Sequence, residues 1–357
     1  MMRTMKEMRP LVITLTPGTV VMTLLIIAAA AILLALKSLL LVVLVSVVIA
    51  SAIEPAVSLL ARAHIPRVVA VLLLYTTLLA FLGVFFSFLL PPLLQELGSF
   101  VAALPQYAAA FSSGSAGVPL IEGGGVLDTL RGLQATFSAS ASGIVGAVTG
   151  IFGGVVSFIL VIVLSFYFAA QERGIDDFLT LVTPPKYRHY ILDLWHRSQV
   201  KIGRWLQGQI VLSLIIGVLV YAGLTLMRVE YALLFALLAA ILELIPVFGS
   251  ILAAIPAVLV AFGQGGTTLA LLVIGYYIII NQFQGNVVYP LVVQKILGVP
   301  PLLVILALLV GAQLGGFLGM VLAVPIAAVL REFINDYQRD RGTGGDAALP
   351  RAAGGGS

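Results

Sequence analysis

The 357-residue chain contains no cysteine. Disulfides, thiolate metal centres and cysteine nucleophiles are therefore excluded. Charge is also scarce: Asp, Glu, Lys and Arg make up 10% of the residues, where a soluble domain holds about a quarter. No GxxxxGK[ST] loop, HExxH helix or GxSxG elbow occurs, so the signatures of a nucleotide-driven motor, a zinc hydrolase and a serine hydrolase are missing. The glycines of SGIVGAVTGIFGG, 142–154, open an apolar run instead of joining a strand to a helix, and close helix packing explains them better than a dinucleotide loop. His189 and His196 lie seven apart on nearly one helix face. Two neutral imidazoles alone fall short of a stable metal-ligand set. The reading is of a protein that is not an enzyme, with no metal, no cofactor and no nucleic acid partner.

What is present is oil. Hydrophobic residues make up 61% of the chain and the mean hydropathy is +1.15. Apolar runs fall at about 11–36, 38–53, 68–94, 143–170, 208–227, 231–262, 267–280 and 301–330. Roughly 20 helical residues cross a bilayer core, and backbone left unpaired in lipid is very costly. The alternation of a membrane barrel is absent. These features predict an all-α, polytopic integral membrane protein with about eight hydrophobic segments. The basic start, MMRTMKEMRP, leads into a run longer than a signal core, which favours an uncleaved first helix.

With the N-terminus placed in the cytoplasm and one crossing per run, 15 of the 19 basic residues fall inside; Lys37, Arg131, Arg228 and Lys295 remain outside. The positive-inside rule then puts both termini in the cytoplasm of a cell inner membrane. The expected organisation is an N-tail over 1–10, one transmembrane transporter domain over 11–335 and a disordered cytoplasmic tail over 336–357. Within the domain, 95–142 is an external amphipathic region, either lying on the surface or packing as a cap. The segment 171–207 is a cytoplasmic amphipathic region, with Pro184 and Pro185 marking a helix start.

Two runs are too long for ordinary crossings. Residues 231–262 would form a helix of about 48 Å against about 30 Å of hydrocarbon. The run 301–330 carries Gly311, Gly315, Gly316 and Gly319 in its middle and Pro325 beyond them. Both are expected to be broken or re-entrant, and treating both as hairpins keeps the arginine-bearing tail inside. The two also match at an offset of 69 residues, which lays Pro256 over Pro325 and Phe248 over Phe317. A crossing followed by a broken element, twice and in opposite directions, is the plan from which many secondary transporters build a midplane site. A chance match of proline-punctuated Ala/Leu/Val sequence is the plainer reading of the same offset.

Few polar residues interrupt the oil. Glu243, in LELIPVFGS, is the acidic residue deep within a run. Such a carboxylate must find a partner, reach water or take up a proton. Either it loads and releases an ion during transport, or it is a hydrogen-bond acceptor that locks the break. A second cluster, Asn281, Gln282, Gln284 and Asn286, supplies amides able to replace a hydration shell; Asn281 and Gln284 share one helix face, Gln282 and Asn286 another. Hydrogen bonds between helices would use them equally well. Arg204, Gln207 and Gln209 form a third group, a candidate cytoplasmic entrance. Candidate breaks or hinges are Pro246, Gly249, Pro256, Pro290, Gly311, Gly315, Gly319 and Pro325.

The ordered series RWLQGQ (204–209), ELIPVFGSILAAIPA (243–257), QFQGNVVYPLVVQKILGVPPL (282–302) and LLVGAQLGGFLGMVLAVPIAAVL (308–330) resembles the autoinducer-2 exporter family, the PerM-like permeases. The resemblance covers roughly 10–335. It implies a multi-pass inner-membrane protein, some relatives of which resemble exporters of autoinducer-2 and others sodium/proton antiporters. The family's Glu-x-x-Pro-x-x-Gly element falls on Glu243, Pro246 and Gly249, its Asn/Pro element on Asn286 and Pro290, and its closing Gly/Pro series on Gly311, Gly319 and Pro325. Two departures stand out: Ser250 replaces a frequent proline and Ala253 a frequent glycine, which would soften the break.

The expected function is secondary transport or export of a small polar solute, with Glu243, Asn281, Gln282, Gln284 and Asn286 as transport or coupling groups. The alternatives are a Na+ or Li+/proton antiporter and a non-transporting membrane scaffold. Expected partners are the lipid bilayer, the solute, H+ or Na+ as candidate coupling ions, and further copies of the chain in a candidate homo-oligomer.

Overall fold

A computed structural model of the protein describes residues 17–114, 153–246, 248–286 and 298–345. It is helical, with no strand among the described residues. The chain divides after residue 40. The N-terminal unit carries α1, Pro17–Ala35, a helix without a charged residue. From residue 41 onward one unit holds most of α2, Lys37–Arg62, and then α3, Arg67–Gly114; α4, Val155–Ala170; α5, Gly174–Val182; α6, Arg188–Leu226; α7, Ala232–Leu242; α8, Gly249–Phe283; and α9, Pro301–Gly345.

Among the described residues five helices, α2, α3, α6, α8 and α9, are long and apolar enough to cross a membrane, and α4 with α5 forms a pair bent by 90°. The lipid-facing surface explains their apolar outsides. On α6, Leu212, Ile216, Val220 and Leu224 form a buried stripe at helical spacing, whereas Val211, Leu214 and Val218 are exposed. An apolar face without protein contact is what a helix surrounded by lipid requires.

The two long runs reverse direction. In the first, α7 ends at Leu242, turn and bend residues follow at 243–246, and α8 begins at Gly249. At the closed end a Cβ on Gly249 would meet the backbone of Leu242 and Glu243; at the open end the Glu230 amide donates to Gln264 Oε1 at 3.2 Å. Residues 249–265 therefore run antiparallel to α7. A second reversal lies within α8, where Gly266 takes φ 62° and ψ −156°, a conformation that strains any residue with a side chain. Its consequence is direct: Ser250 bonds Gln284, although a straight helix would separate them by about 51 Å.

In α9 the non-helical residues are Gly315 and Gly316, the latter at φ 56°. The two arms, 301–314 and 317 onward, pack so closely that a Cβ on Gly311 would strike the Gly319 carbonyl, and Arg331 sits against Gly298 at the open end. Each arm up to the open end is about 21 Å long, short of the hydrocarbon thickness, so the element enters and returns. The expected hinges Pro256 and Pro325 lie inside the arms, where the dihedrals remain helical; the reversals sit at Gly266, between α7 and α8, and at Gly315–Gly316. Pro290 lies outside the described residues.

The hairpins enter from opposite sides. Along α6, Arg197 and Lys201 pair with Glu332 at the open end of the α9 hairpin, with Arg197 also holding Asp336 at 2.7 Å. About 12 Å further along α6, Gln209 reaches the tip of the α7–α8 hairpin, and the base of that hairpin lies beyond the far end of α6, about 26 Å further on. Both tips contribute to one apolar cluster, in which Ile245 and Phe248 share neighbours with Phe317, Leu318 and Leu322. By the 69-residue offset, Gly315 falls on Pro246, within the turn of the first hairpin.

Of the segment 95–142, residues 95–114 are described; they continue α3, and those up to Tyr107 clamp the base of the first hairpin. Glu96 accepts from the Leu234 amide at 2.8 Å, supplying the acceptor that the first turn of α7 lacks, and Tyr107 donates to Glu230 at 2.9 Å. Phe100 packs edge-on against both Tyr231 and Phe235, with ring centroids 5.6 Å apart in each pair. At the other end Arg67 forks onto Glu54 and donates to the Ala169 carbonyl, joining α2, α3 and α4.

Close packing of the α9 arms predicts that Gly311→Val destabilises the protein by about 1–3 kcal/mol through overpacking. Thermal unfolding of the purified full-length chain should show a lowered Tm, while Gly275→Ala, with nothing within 4 Å of the added methyl, leaves it unchanged. Equal Tm values would contradict the hairpin.

Candidate functional site

The turn at LELIPVFGS follows from its residues. Leu244 and Ile245 make tight bonds to the Ile241 and Leu242 carbonyls, and Pro246 cannot donate to continue the α-helical ladder. Gly249 permits the backbone to pass close to Glu243. The chain therefore stops at the carboxylate and leaves it inside the protein: Glu243 is 2% exposed. Ala253 is fully buried in a continuous helix, so the substitution of the frequent glycine leaves the reversal intact.

Glu243 has no cationic partner among the described ion pairs. Its neighbours are amides. Gln284 Nε2 donates to Glu243 Oε2 at 2.7 Å, and Gln209 donates to the Glu243 backbone carbonyl. Ser250 Oγ donates to Gln284 Oε1 at 2.7 Å, and Asn281 Nδ2 donates to Ser250 Oγ at 3.2 Å. Four side chains from the turn and both arms of α8 thus form one directional chain ending on a carboxylate. Ser250 and Gln209 are each 1% exposed.

The far end of this chain opens on a cleft of about 330 Å³ between the arms of α8. Its polar lining is Ser250, Tyr277, Asn281 and Gln282; its apolar lining includes Ile251, Ala254 and Ile274. The Tyr277 hydroxyl is buried without a partner, as are Ser213 Oγ and Gln209 Oε1 on α6. No group of three or more His, Cys, Asp or Glu able to hold a metal occurs among the described residues.

Of the expected site residues, Glu243, Gln284 and Asn281 converge, and Gln282 joins them at the cleft. Asn286 is exposed at the end of α8 and takes no part. Gln209, grouped by sequence with an entrance, turns inward to the hairpin tip, whereas Gln207 donates to the Ala52 carbonyl and Arg204 is exposed. Two members escaped sequence reasoning. Ser250 attracted notice only as a replaced proline, and Tyr277 sits in an aromatic-aliphatic stretch, GYYIII, that reads as lipid-facing helix.

The fold and site define a polytopic helical membrane protein with two opposed hairpins and a polar centre at one tip. The model of AI-2E family transporters matches residues 20–339, and the chain belongs to that family. Among curated relatives, the Bacillus subtilis protein YrrI is 26% identical over 83% of this chain and 86% of its own length. AI-2 transport protein TqsA of Escherichia coli K12 is 27% identical over 80% of this chain and 83% of its own. Bacillus subtilis YueF is 32% identical over a shorter stretch, 59% of this chain and 56% of its own.

Removing one partner from a buried chain leaves the others unsatisfied, a cost on the order of 1–2 kcal/mol in a helical membrane protein. Gln284→Leu should therefore lower stability more than Ser250→Ala, and the double variant should be less destabilised than the sum. Denaturation midpoints in mixed micelles test this; strict additivity would break the chain into independent bonds.

Proposed function

We propose that the protein moves a small polar solute across the cytoplasmic membrane as a secondary transporter, with the cleft between the arms of α8 as solute site and Glu243 as coupling group. The observation that carries this reading is a carboxylate with no cationic partner among the described residues, at the tip of one of two oppositely inserted hairpins, linked through Gln284 to Ser250 and Asn281 on the lining of an open cleft. Opposed hairpins at midplane leave short barriers on either side, and amides exchange for a hydration shell without fixing charge. The cleft lining carries no charged side chain, which suits a neutral solute with hydroxyl or carbonyl groups along one side and carbon along the other. Autoinducer-2, the solute in the name of TqsA, is the first to test. The basic residues of α6 before Gln209, Arg188, Arg197, Lys201 and Arg204, and those toward the end of α9, Arg331, Arg339 and Arg341, support a cytoplasmic side for that end of these helices.

A second reading, monovalent cation/proton antiport, draws on Gln209 Oε1, a buried carbonyl oxygen with no partner on the side chain that holds the Glu243 backbone. That oxygen and the carboxylate are cation ligands by type.

Proteoliposomes loaded with autoinducer-2 should release it through the wild type at a rate that responds to an imposed proton gradient. In Glu243→Gln that response should fall at least tenfold. Gradient-dependent release that is unchanged in the variant removes Glu243 from coupling. In acid-inside vesicles, added Na+ or Li+ should dissipate the gradient only if the antiport reading holds.

A further inference from the structure

We propose that Glu243, Gln284, Ser250 and Asn281 form a reversible hydrogen-bond relay, in which proton uptake on Glu243 reverses each bond and changes what Asn281 offers to the cleft. The proposal rests on the cleft being the solute site. It goes further by specifying how coupling is carried.

The direction of the chain follows from the inventory of each group. An ionised carboxylate only accepts, so Gln284 must turn its nitrogen toward Glu243. The remaining Gln284 oxygen also only accepts, so the Ser250 hydroxyl must donate to it. The Ser250 oxygen is then open to Asn281 Nδ2, and the group of Asn281 not used by the chain is its carbonyl oxygen. The polarity of the chain is thus the one that an ionised Glu243 requires.

A proton on Glu243 converts the carboxylate into a donor. Gln284 turns its amide over to present Oε1 to the acid, and its nitrogen now donates to Ser250. The Ser250 hydroxyl swings to donate to Asn281 Oδ1, and Asn281 is left with its nitrogen for the cleft. Three hydrogen bonds exist before and three after; only two amides and one hydroxyl rotate, and the proton stays on Glu243. The cleft changes from an acceptor at Asn281 to a donor, so a solute is held differently in the two states. A ligand that favours one state shifts the other equilibrium by the same factor.

The surroundings suit a two-state relay. Around Glu243 the facing groups are Gln209 from α6 and Gln284 from α8; neither ionises, and no charged side chain among the described residues acts on Glu243. Tyr277, the ionisable group on the cleft lining, has no hydrogen-bond partner and lies outside the chain. Gln284 is 9% exposed, so water does not readily substitute for a member.

Infrared difference spectra of the full-length protein in lipid, between alkaline and acid buffer, test the relay without any solute. The wild type should show a carboxylic-acid band on acidification together with changes in side-chain amide bands. Glu243→Gln should lose both. Gln284→Met should keep the carboxylic band, shifted toward that of a free acid, and lose the amide changes. Asn281→Leu, at a half-buried position, should lose only the Asn component. Amide bands that ignore titration in the wild type, or persist in Gln284→Met, overturn the relay; so does the absence of any titrating carboxylic band. Amide changes lost in Gln209→Leu instead would assign the donor bond to Gln209 and overturn it equally. Vesicle efflux separates the two levels: gradient-dependent release that needs Glu243 but shows no amide signature leaves the transport reading in place and removes the relay. An intact signature with no release does the reverse.

Discussion

The hydrogen bond from Gln284 to Glu243 joins the tip of the first hairpin to the returning arm of α8, and much of the interior is arranged around it. A carboxylate cannot be left bare in an apolar interior. Gln284 must therefore be held at the end of an arm that folds back, which requires the reversal at Gly266; the tip must stay in place, which requires α6 to present Gln209. The base of the hairpin is fixed separately by Glu96, Phe100 and Tyr107 from α3. Hydrogen bonds and apolar packing hold both ends, but Glu243 at the tip is buried, whereas Glu230 at the base is exposed and Glu96 only partly buried.

The two hairpins are similar in backbone and different in chemistry. Both reverse at matched positions and both enter from the side opposite the other. The second tip is glycine, at Gly315 and Gly316, and its arms touch through Gly311 and Gly319. By the 69-residue offset Ala312 stands where the first copy has Glu243. One hairpin thus supplies an ionisable group and the other a tightly packed apolar wall, while Arg197 and Lys201 secure the open end of the second by ion pairs at its boundary. Under the proposed function, an acidic group at one tip alone would give the coupling chemistry a direction despite a similar frame.

Much of this was legible in the sequence because membranes impose few rules and enforce them strictly. Run length alone marked both long segments as unable to cross once, and the solitary carboxylate marked the centre. The shared helix face of Asn281 and Gln284 was readable from a spacing of three, and both do meet Ser250. Less was legible where partners are distant in the chain. Gln209 lies beside Gln207 in sequence but points to a different neighbour, because a helix rotates successive residues by about 100°. The prolines suggest hinges at Pro256 and Pro325, yet a proline costs an existing helix one bond, while the reversals at Gly266 and Gly316 use a backbone region open chiefly to glycine. Ser250 carries no signal beyond standing where the family often has a proline.

Secondary transport, as proposed, requires that the cleft linked to Glu243 be reached from both sides of the membrane in turn. Because the chain has no native cysteine, a thiol introduced by Gln282→Cys, on the cleft lining, is unique. A membrane-impermeant thiol reagent applied to sealed right-side-out and inside-out vesicles reads its accessibility directly. The account predicts modification from either side, with the balance between sides shifting in Glu243→Gln. Modification from one side alone, unaffected by that substitution, would contradict it.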